Sequence, residues 1–231
     1  MIPWELIGKA QVPGDGGEMT LHRRGAEFSI RVDRLELMNS RVHGSEETLA
    51  ELACAKLGER NRIRILIGGL GMGYTVAAAL RQIGARGQIV VAELVPAVVE
   101  WNRGPLADLA GRPLENPHVT VRTMDVGVML RNGRDAYDVI LLDVDNGPVG
   151  FTRKENNWLY AEDGLAAAFT ALRPGGVLAV WSVGPERIFT RRLRKAGFVV
   201  NEVSVRARGS HGGGRHWVWI GVKSLKPGGP G

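Results

Sequence analysis

The sequence predicts an α/β fold: a seven-stranded, mostly parallel sheet that ends in an antiparallel hairpin and follows a small N-terminal β segment. Three observations predict it. From Ile63 onward, short apolar runs alternate with helical stretches, as in strands joined by crossover helices. A glycine-rich loop stands between the first of these runs and the helix after it. Two last apolar runs flank a second glycine-rich segment, 209–214, the mark of a closing hairpin.

Met19–His22 and Glu27–Val32 alternate apolar with polar residues between glycines 14, 16, 17 and 25, which predicts a strand-rich cap over 1–43. Ser45-Glu46-Glu47 opens a helix to about Leu57: Ser45 can cap free amides, the two acids suit the positive end of the dipole, and Gly58 closes it. The main unit spans 44–224. Its expected strands are 63–67, 88–93, 119–121, 137–143, 177–181, 198–205 and 216–222. Its expected helices are 76–83, 96–109 (with Pro96 in the first turn), 161–172 (stopped by Pro174-Gly175-Gly176) and 186–196. Residues 225–231 read as a disordered tail.

The chain has 231 residues, 44% hydrophobic and 23% charged, enough to bury a core without disulfide or metal staples. Glycine is the outlier, 32 residues against a usual share of about 7%, with no collagen period. Cys54 is the single cysteine, so no internal disulfide forms, and no Cys/His cluster has zinc spacing. No metal is expected. The start of the chain lacks a basic-then-apolar signal, and no run of about 18 apolar residues occurs; a cytoplasmic protein without a membrane span is expected. The net charge of +6 comes mainly from arginine. A basic excess can serve nucleic acid, but these residues are scattered without an aromatic-interleaved stripe, and Arg187, Arg191, Arg192, Arg194 and Lys195 fit a solvated helix face.

Gly68-Gly69-Leu70-Gly71-Met72-Gly73 follows a buried-type strand and opens a helix. Glycines there let the backbone turn sharply and a ligand approach the main chain. The third glycine of a dinucleotide fingerprint is missing, Tyr74 standing in its place, and no Gly-Lys-Ser/Thr follows. The spacing Gly69-x-Gly71-x-Gly73 is similar to that of class I S-adenosylmethionine-dependent methyltransferases. Glu93, twenty residues on at the end of the second strand, can accept hydrogen bonds from both ribose hydroxyls. Asp125, after the third strand, can accept from an adenine amine. Each acid alone would pass as a solvated strand end; in register on the carboxyl edge of one parallel sheet, they point to an adenosine-containing ligand in a Rossmann-like site.

Asp143-Val144-Asp145-Asn146-Gly147-Pro148 after the Tyr137–Leu142 run, with the glycine loop upstream, resembles the spermidine synthase (polyamine aminopropyltransferase) family over residues 20–205. The resemblance implies a class I methyltransferase-type fold, S-adenosylmethionine or its decarboxylated form as co-substrate, a small amine acceptor in an acidic groove, and dimerisation through the front segment. It places Asp143 and Asp145 in the catalytic loop. His43 and Glu51, in and before the front helix, fall on the acceptor side. The departures bear on the activity. The family's loop carries an aspartate, facing the donor's ammonium, where this chain has Gly71. Glu93-Leu94-Val95 keeps the ribose acid and loses the next one, and the catalytic loop is shorter. A cation without a carboxylate partner is poorly compensated in a closed site, so Gly71 favours methyl transfer while the resemblance favours aminopropyl transfer. A base-methylating enzyme and a non-catalytic binding relative are the other readings.

Both transfers displace at a carbon on sulfonium, so the protein aligns the nucleophile and accepts its proton. Asp143 is either that acceptor or a structural carboxylate capping the amides of Asn146 and Gly147. Val149–Tyr160 reads as a lid or as a plain surface loop; Trp158 and Tyr160 either cover substrate or anchor the next helix. Tyr74 is a pocket wall or a packing residue, and His43 an acceptor-side or a structural histidine.

Overall fold

The computed structural model describes residues 2–14, 16–144, 147–149, 157–208 and 212–224. The predicted tail, Asp145 and most of the predicted lid lie outside them. The chain builds a four-stranded antiparallel front sheet in chain order, from β1 (Glu5–Gln11), β2 (Glu18–Arg24), β3 (Glu27–Val32) and β4 (Leu35–Asn39). Leu21 and Ile30 pair across β2 and β3 and are both buried. In β2, buried Met19 and Leu21 alternate with half-buried Thr20 and His22, the period-two pattern of a half-buried sheet.

The main sheet comprises β5 (Ile63–Gly68), β6 (Gly87–Glu93), β7 (Val119–Thr123), β8 (Tyr137–Leu142), β9 (Leu172–Ser182), β10 (Phe198–Arg206) and β11 (Arg215–Lys223). Its order is β10-β11-β9-β8-β5-β6-β7, with the last two strands of the chain antiparallel and the rest parallel. This is the fold the sequence predicts. β8 is buried along its whole length, which is why it reads as an uninterrupted apolar run. The chain leaves β5 toward β6 and β7, then returns to lay β8 on the other side of β5. That reversal opens a crevice at the carboxyl ends of β5 and β8, where open α/β sheets bind ligands.

Seven helices are described: α1 (Gly44–Cys54), α2 (Tyr74–Ile83), α3 (Pro96–Arg103), α4 (Val126–Asn132), α5 (Asn157–Tyr160), α6 (Glu162–Ala171) and α7 (Arg187–Lys195). Several boundaries correct the expectation. Ser45 does not cap α1; His43 holds the N-cap position without a side-chain bond, and the Ser45 hydroxyl turns inward. The third helix stops at Gly104, six residues early, and the chain goes on as a short 3-10 turn over Ala107–Ala110. Pro174-Gly175-Gly176 belongs to β9, where Gly175 has a φ of 70° and the register against β8 jumps from Leu172 to Val177. The segment is a bulge rather than a helix stop. The sequence did not suggest α4, although Asp125 caps it by accepting from the amide of Gly127 at 2.7 Å.

Beneath the sheet, Phe189 of α7 meets Trp219 of β11 edge to face at 5.1 Å, and the indole N–H donates to the Thr190 hydroxyl at 2.8 Å. At the amino end of β8, buried Asp138 accepts from Arg60 and Arg173 at 2.8 Å each and from the amide of Arg64 at 2.8 Å. The basic residues of α7 are exposed, as a solvated face requires.

Candidate active site

The turn from β5 into α2 runs through left-handed backbone at Gly69 (φ 89°) and Gly71 (φ 53°). A Cβ on Gly69 would run into the carbonyl oxygen of Asp143, so only glycine lets the loop after β5 lie against the end of β8. A Cβ on Gly71 would stand 2.7 Å from Cε of Met38, a residue of the front sheet. Gly73 (φ 85°) precedes α2, and Gly68 ends β5.

Glu93 ties this loop to the next strand. Its two carboxylate oxygens accept from the amides of Leu70 and Val95, each at 2.8 Å, and an ionised carboxylate still has lone pairs for a ligand. Asp125 is exposed at the head of α4. Asp143 extends β8 by donating its amide to the carbonyl of Gly68 at 2.9 Å. Its carboxylate accepts from the hydroxyl of Thr75, on α2, at 2.6 Å; among the described residues that is its partner, and no capping of the Gly147 amide is seen, that amide donating instead to the carbonyl of Val144.

Most of these groups border one cavity of about 540 Å³. Gly69, Gly71, Glu93, Asp125 and Asp143 line it, so the structure brings together two glycines of the loop and three of the four described acids that the sequence singles out. The front sheet closes the cavity with Met19, Ile30, Leu37 and Met38. Of the other predicted residues that are described, Gly68, Gly73, His43, Glu51, Trp158 and Tyr160 do not line it. His43 stacks on Tyr74 with ring centroids 4.0 Å apart and meets Glu47 at 3.2 Å. It borders a separate hollow with Arg41 and Arg208. Glu51 is exposed. Trp158 lies under the guanidinium of Arg131 at 4.5 Å. Tyr160 is buried, donates to the carbonyl of Val144 at 3.2 Å and packs edgewise on Phe189; both rings anchor α5. Tyr74 is a packing residue whose hydroxyl donates to the carbonyl of Ser40.

The structure adds groups that the sequence left unmarked. Glu46 is 7% exposed and lines the cavity beside Asp143. Burial pushes its carboxyl up to about 8, with the Asp143 charge adding to the shift, and burial raises Asp143 to about 6 against the opposing Thr75 hydrogen bond. At neutral pH this pair of like groups therefore retains a proton. Glu46 could have been found: positions 46, 49, 50 and 53 share the buried face of α1, and an acid in such a stripe is out of place unless it serves a site. Trp181 and His216 also line the cavity. Among the described residues no cluster of three His, Cys, Asp or Glu could hold a metal, and no helix is long and apolar enough to cross a membrane.

A family model for the spermine/spermidine synthase domain matches residues 43–190. Among curated proteins, the polyamine aminopropyltransferase of Mycobacterium tuberculosis is 32% identical over 201 residues, which cover 81% of this chain and 36% of that protein. The polyamine aminopropyltransferase of Oceanobacillus iheyensis is 28% identical over 154 residues, 65% of this chain and 28% of that one. The chain thus spans about a third of the length of these relatives. Among solved structures, spermidine synthase from Thermotoga maritima superposes with a TM-score of 0.76 at 18% identity, covering 96% of this chain and 74% of that one. A probable spermidine synthase from Corynebacterium glutamicum gives 0.65 at 14%, covering 94% and 80%. These two likenesses bear on the fold.

Proposed function

The chain belongs to the spermine/spermidine synthase family, and from that premise we propose that it transfers an aminopropyl group from decarboxylated S-adenosylmethionine to a small amine. The observation that carries this reading is the pair of buried carboxylates, Glu46 and Asp143, opening on the same cavity as the glycine loop. Two ammonium groups must be accommodated, one on the donor's propyl chain and one on the acceptor. The loop acid absent at Gly71 had weighed toward methyl transfer. Glu46 supplies a carboxyl group from another element that a bound ammonium would draw toward its ionised form, which answers that objection, and the curated relatives are named for aminopropyl transfer.

In this reading the glycine loop, Glu93 and Asp125 hold the adenosine. The donor brings its own leaving group, a sulfonium that departs as a neutral thioether. Asp143, held by Thr75, orients the acceptor nitrogen and takes the proton lost as the new N–C bond forms. The apolar wall from the front sheet keeps water from the reacting carbon. A homodimer joined through the front sheet goes with the proposal, supported by the exposed Leu6 and Leu35 on that sheet.

Isothermal titration with the decarboxylated donor and with S-adenosylmethionine side by side tests it. Tighter binding of the decarboxylated donor, with transfer to a diamine seen by mass spectrometry, is the expected result. Binding of neither compound overturns the transferase reading, and preference for S-adenosylmethionine returns it to methyl transfer.

A further inference from the structure

Ser45 is fully buried, and its hydroxyl oxygen lies 2.9 Å from Oε2 of Glu46 and 2.9 Å from Nδ1 of His216. The three residues come from the first turn of α1 and from β11, far apart in sequence. A backbone bond from the amide of Gly44 to the carbonyl of Ala207 holds the two regions together. Glu46 and His216 both line the cavity that contains Asp143. The imidazole is fixed there by Trp181, whose ring meets it edge to face at 4.8 Å.

A hydroxyl has one proton to donate. Two arrangements satisfy this chain of three groups. With Glu46 protonated, its O–H donates to Ser45 Oγ, and the Ser45 O–H donates to a bare Nδ1 of His216. With Glu46 ionised, the Ser45 O–H turns to the carboxylate, and Nδ1–H of His216 donates to Oγ. Changing from the first to the second while a proton moves along the hydrogen bonds carries one proton from the carboxyl to the imidazole.

We propose that Glu46, Ser45 and His216 form a proton relay that drains the carboxylate pair in the cavity, with Ser45 and His216 as positioning residues for the transfer. This rests on the reading of the site as an aminopropyltransferase. When the acceptor nitrogen attacks, its N–C bond forms, the C–S bond breaks, and the nitrogen's surplus proton passes to the carboxylate pair. Glu46 then gives its proton to Ser45 Oγ, Ser45 gives its own to His216 Nδ1, and the imidazolium releases a proton from Nε2. No other reactant is consumed, and the chain resets when the Ser45 hydroxyl turns back and His216 exchanges its Nδ1 proton for one on Nε2 through solvent.

The surroundings set the resting protonation of the chain. Glu46 faces Asp143 from the end of β8, Glu47 on its own helix and Tyr74 from α2. Burial and the two glutamates push Tyr74 up to about 12, so it does not compete for the proton. Burial lowers the His216 imidazole below its usual value, so it rests neutral and hands on a proton it receives rather than holding it. Across β10 it faces the apolar Val205.

Nitrogen-15 NMR of histidine-labelled protein tests the relay without any turnover. In the wild type, His216 is expected to change from the Nε2–H to the Nδ1–H tautomer as Glu46 ionises near pH 8. In Ser45→Ala and in Glu46→Gln it should hold one tautomer over the same range. A wild-type His216 that keeps one tautomer throughout overturns the relay. In the transfer assay, Ser45→Ala should lower kcat on the order of 100-fold with donor affinity unchanged, and an unchanged kcat also overturns it. A wild type that moves no aminopropyl group overturns the transferase reading instead, and the tautomer measurement then decides whether the proton path exists.

Discussion

Met38 stands where a side chain on Gly71 would go: a Cβ built there lies 2.7 Å from its Cε and 3.1 Å from its Sδ. A loop residue and a front-sheet residue thus share one space, and the cation-facing acid expected from the family pattern has no room.

The first prediction follows from that contact. Gly71→Asp should lower stability by about 1–2 kcal/mol, because φ is positive there and Met38 is displaced, and it should weaken donor binding. Adding Met38→Ala should restore the binding, since the new carboxylate then has space. Titration calorimetry on both variants checks this; equal affinity of the single and double variants would show that Met38 is not the obstacle.

Asp143→Asn keeps the shape of the site and removes the proposed proton acceptor. Turnover should fall on the order of 100- to 10,000-fold, while donor binding holds through the glycine loop and Glu93. Steady-state kinetics with a diamine decides the point, and undiminished turnover strips Asp143 of the role.

A third prediction concerns pH. Glu46 and Asp143 both bind protons more tightly in the folded state than in the unfolded chain, with folded values about 8 and about 6. The native state then holds more protons across this range, so these groups make stability fall as pH rises from the usual carboxylate range to about 8. Glu46→Gln should flatten that decline and leave the variant relatively more stable at alkaline pH. Urea denaturation at acidic, neutral and alkaline pH measures it; parallel curves for the two proteins would contradict the assignment.

The other end of β8 supplies a control. Asp138 is paired with Arg60 and Arg173 and carries 5% side-chain exposure. Asp138→Ala leaves two guanidinium groups without their partner and should cost about 3 kcal/mol, read by urea unfolding. Donor affinity should not change, because the cavity lies beyond the opposite end of the strand.

What the sequence makes legible depends on how local the cause is. β5 and β8 stand out because burial on both faces demands continuous apolar runs, and the glycine loop because its backbone excludes side chains. Glu93 and Asp125 are legible through their place after a strand. Glu46 is legible only in part: its spacing with Leu49, Ala50 and Ala53 puts it on an apolar stripe, but an acid in the first turn of a helix also satisfies the dipole, and the burial of α1 against the main sheet decides between the two. His216 enters through the pairing of β11 with β9, a contact that no local spacing encodes. Trp158 and Tyr160 are not resolved by the sequence, because aromatic residues after a glycine-rich segment fit a substrate cover as well as the packed anchor they form on α5. Asp145 lies outside the described residues, and its catalytic role stands as part of the proposal.

The cavity has two owners. One wall is the edge of the main sheet, whose glycines and acids, on the proposed function, can change little without losing the donor; the other is Met19, Ile30, Leu37 and Met38 from a sheet with its own hydrogen-bond ladder. Divergence in the second wall is cheap for the first. Related chains can therefore drift apart in which amine they accept while keeping the same donor, and comparison of their front sheets is where differences in acceptor should be sought.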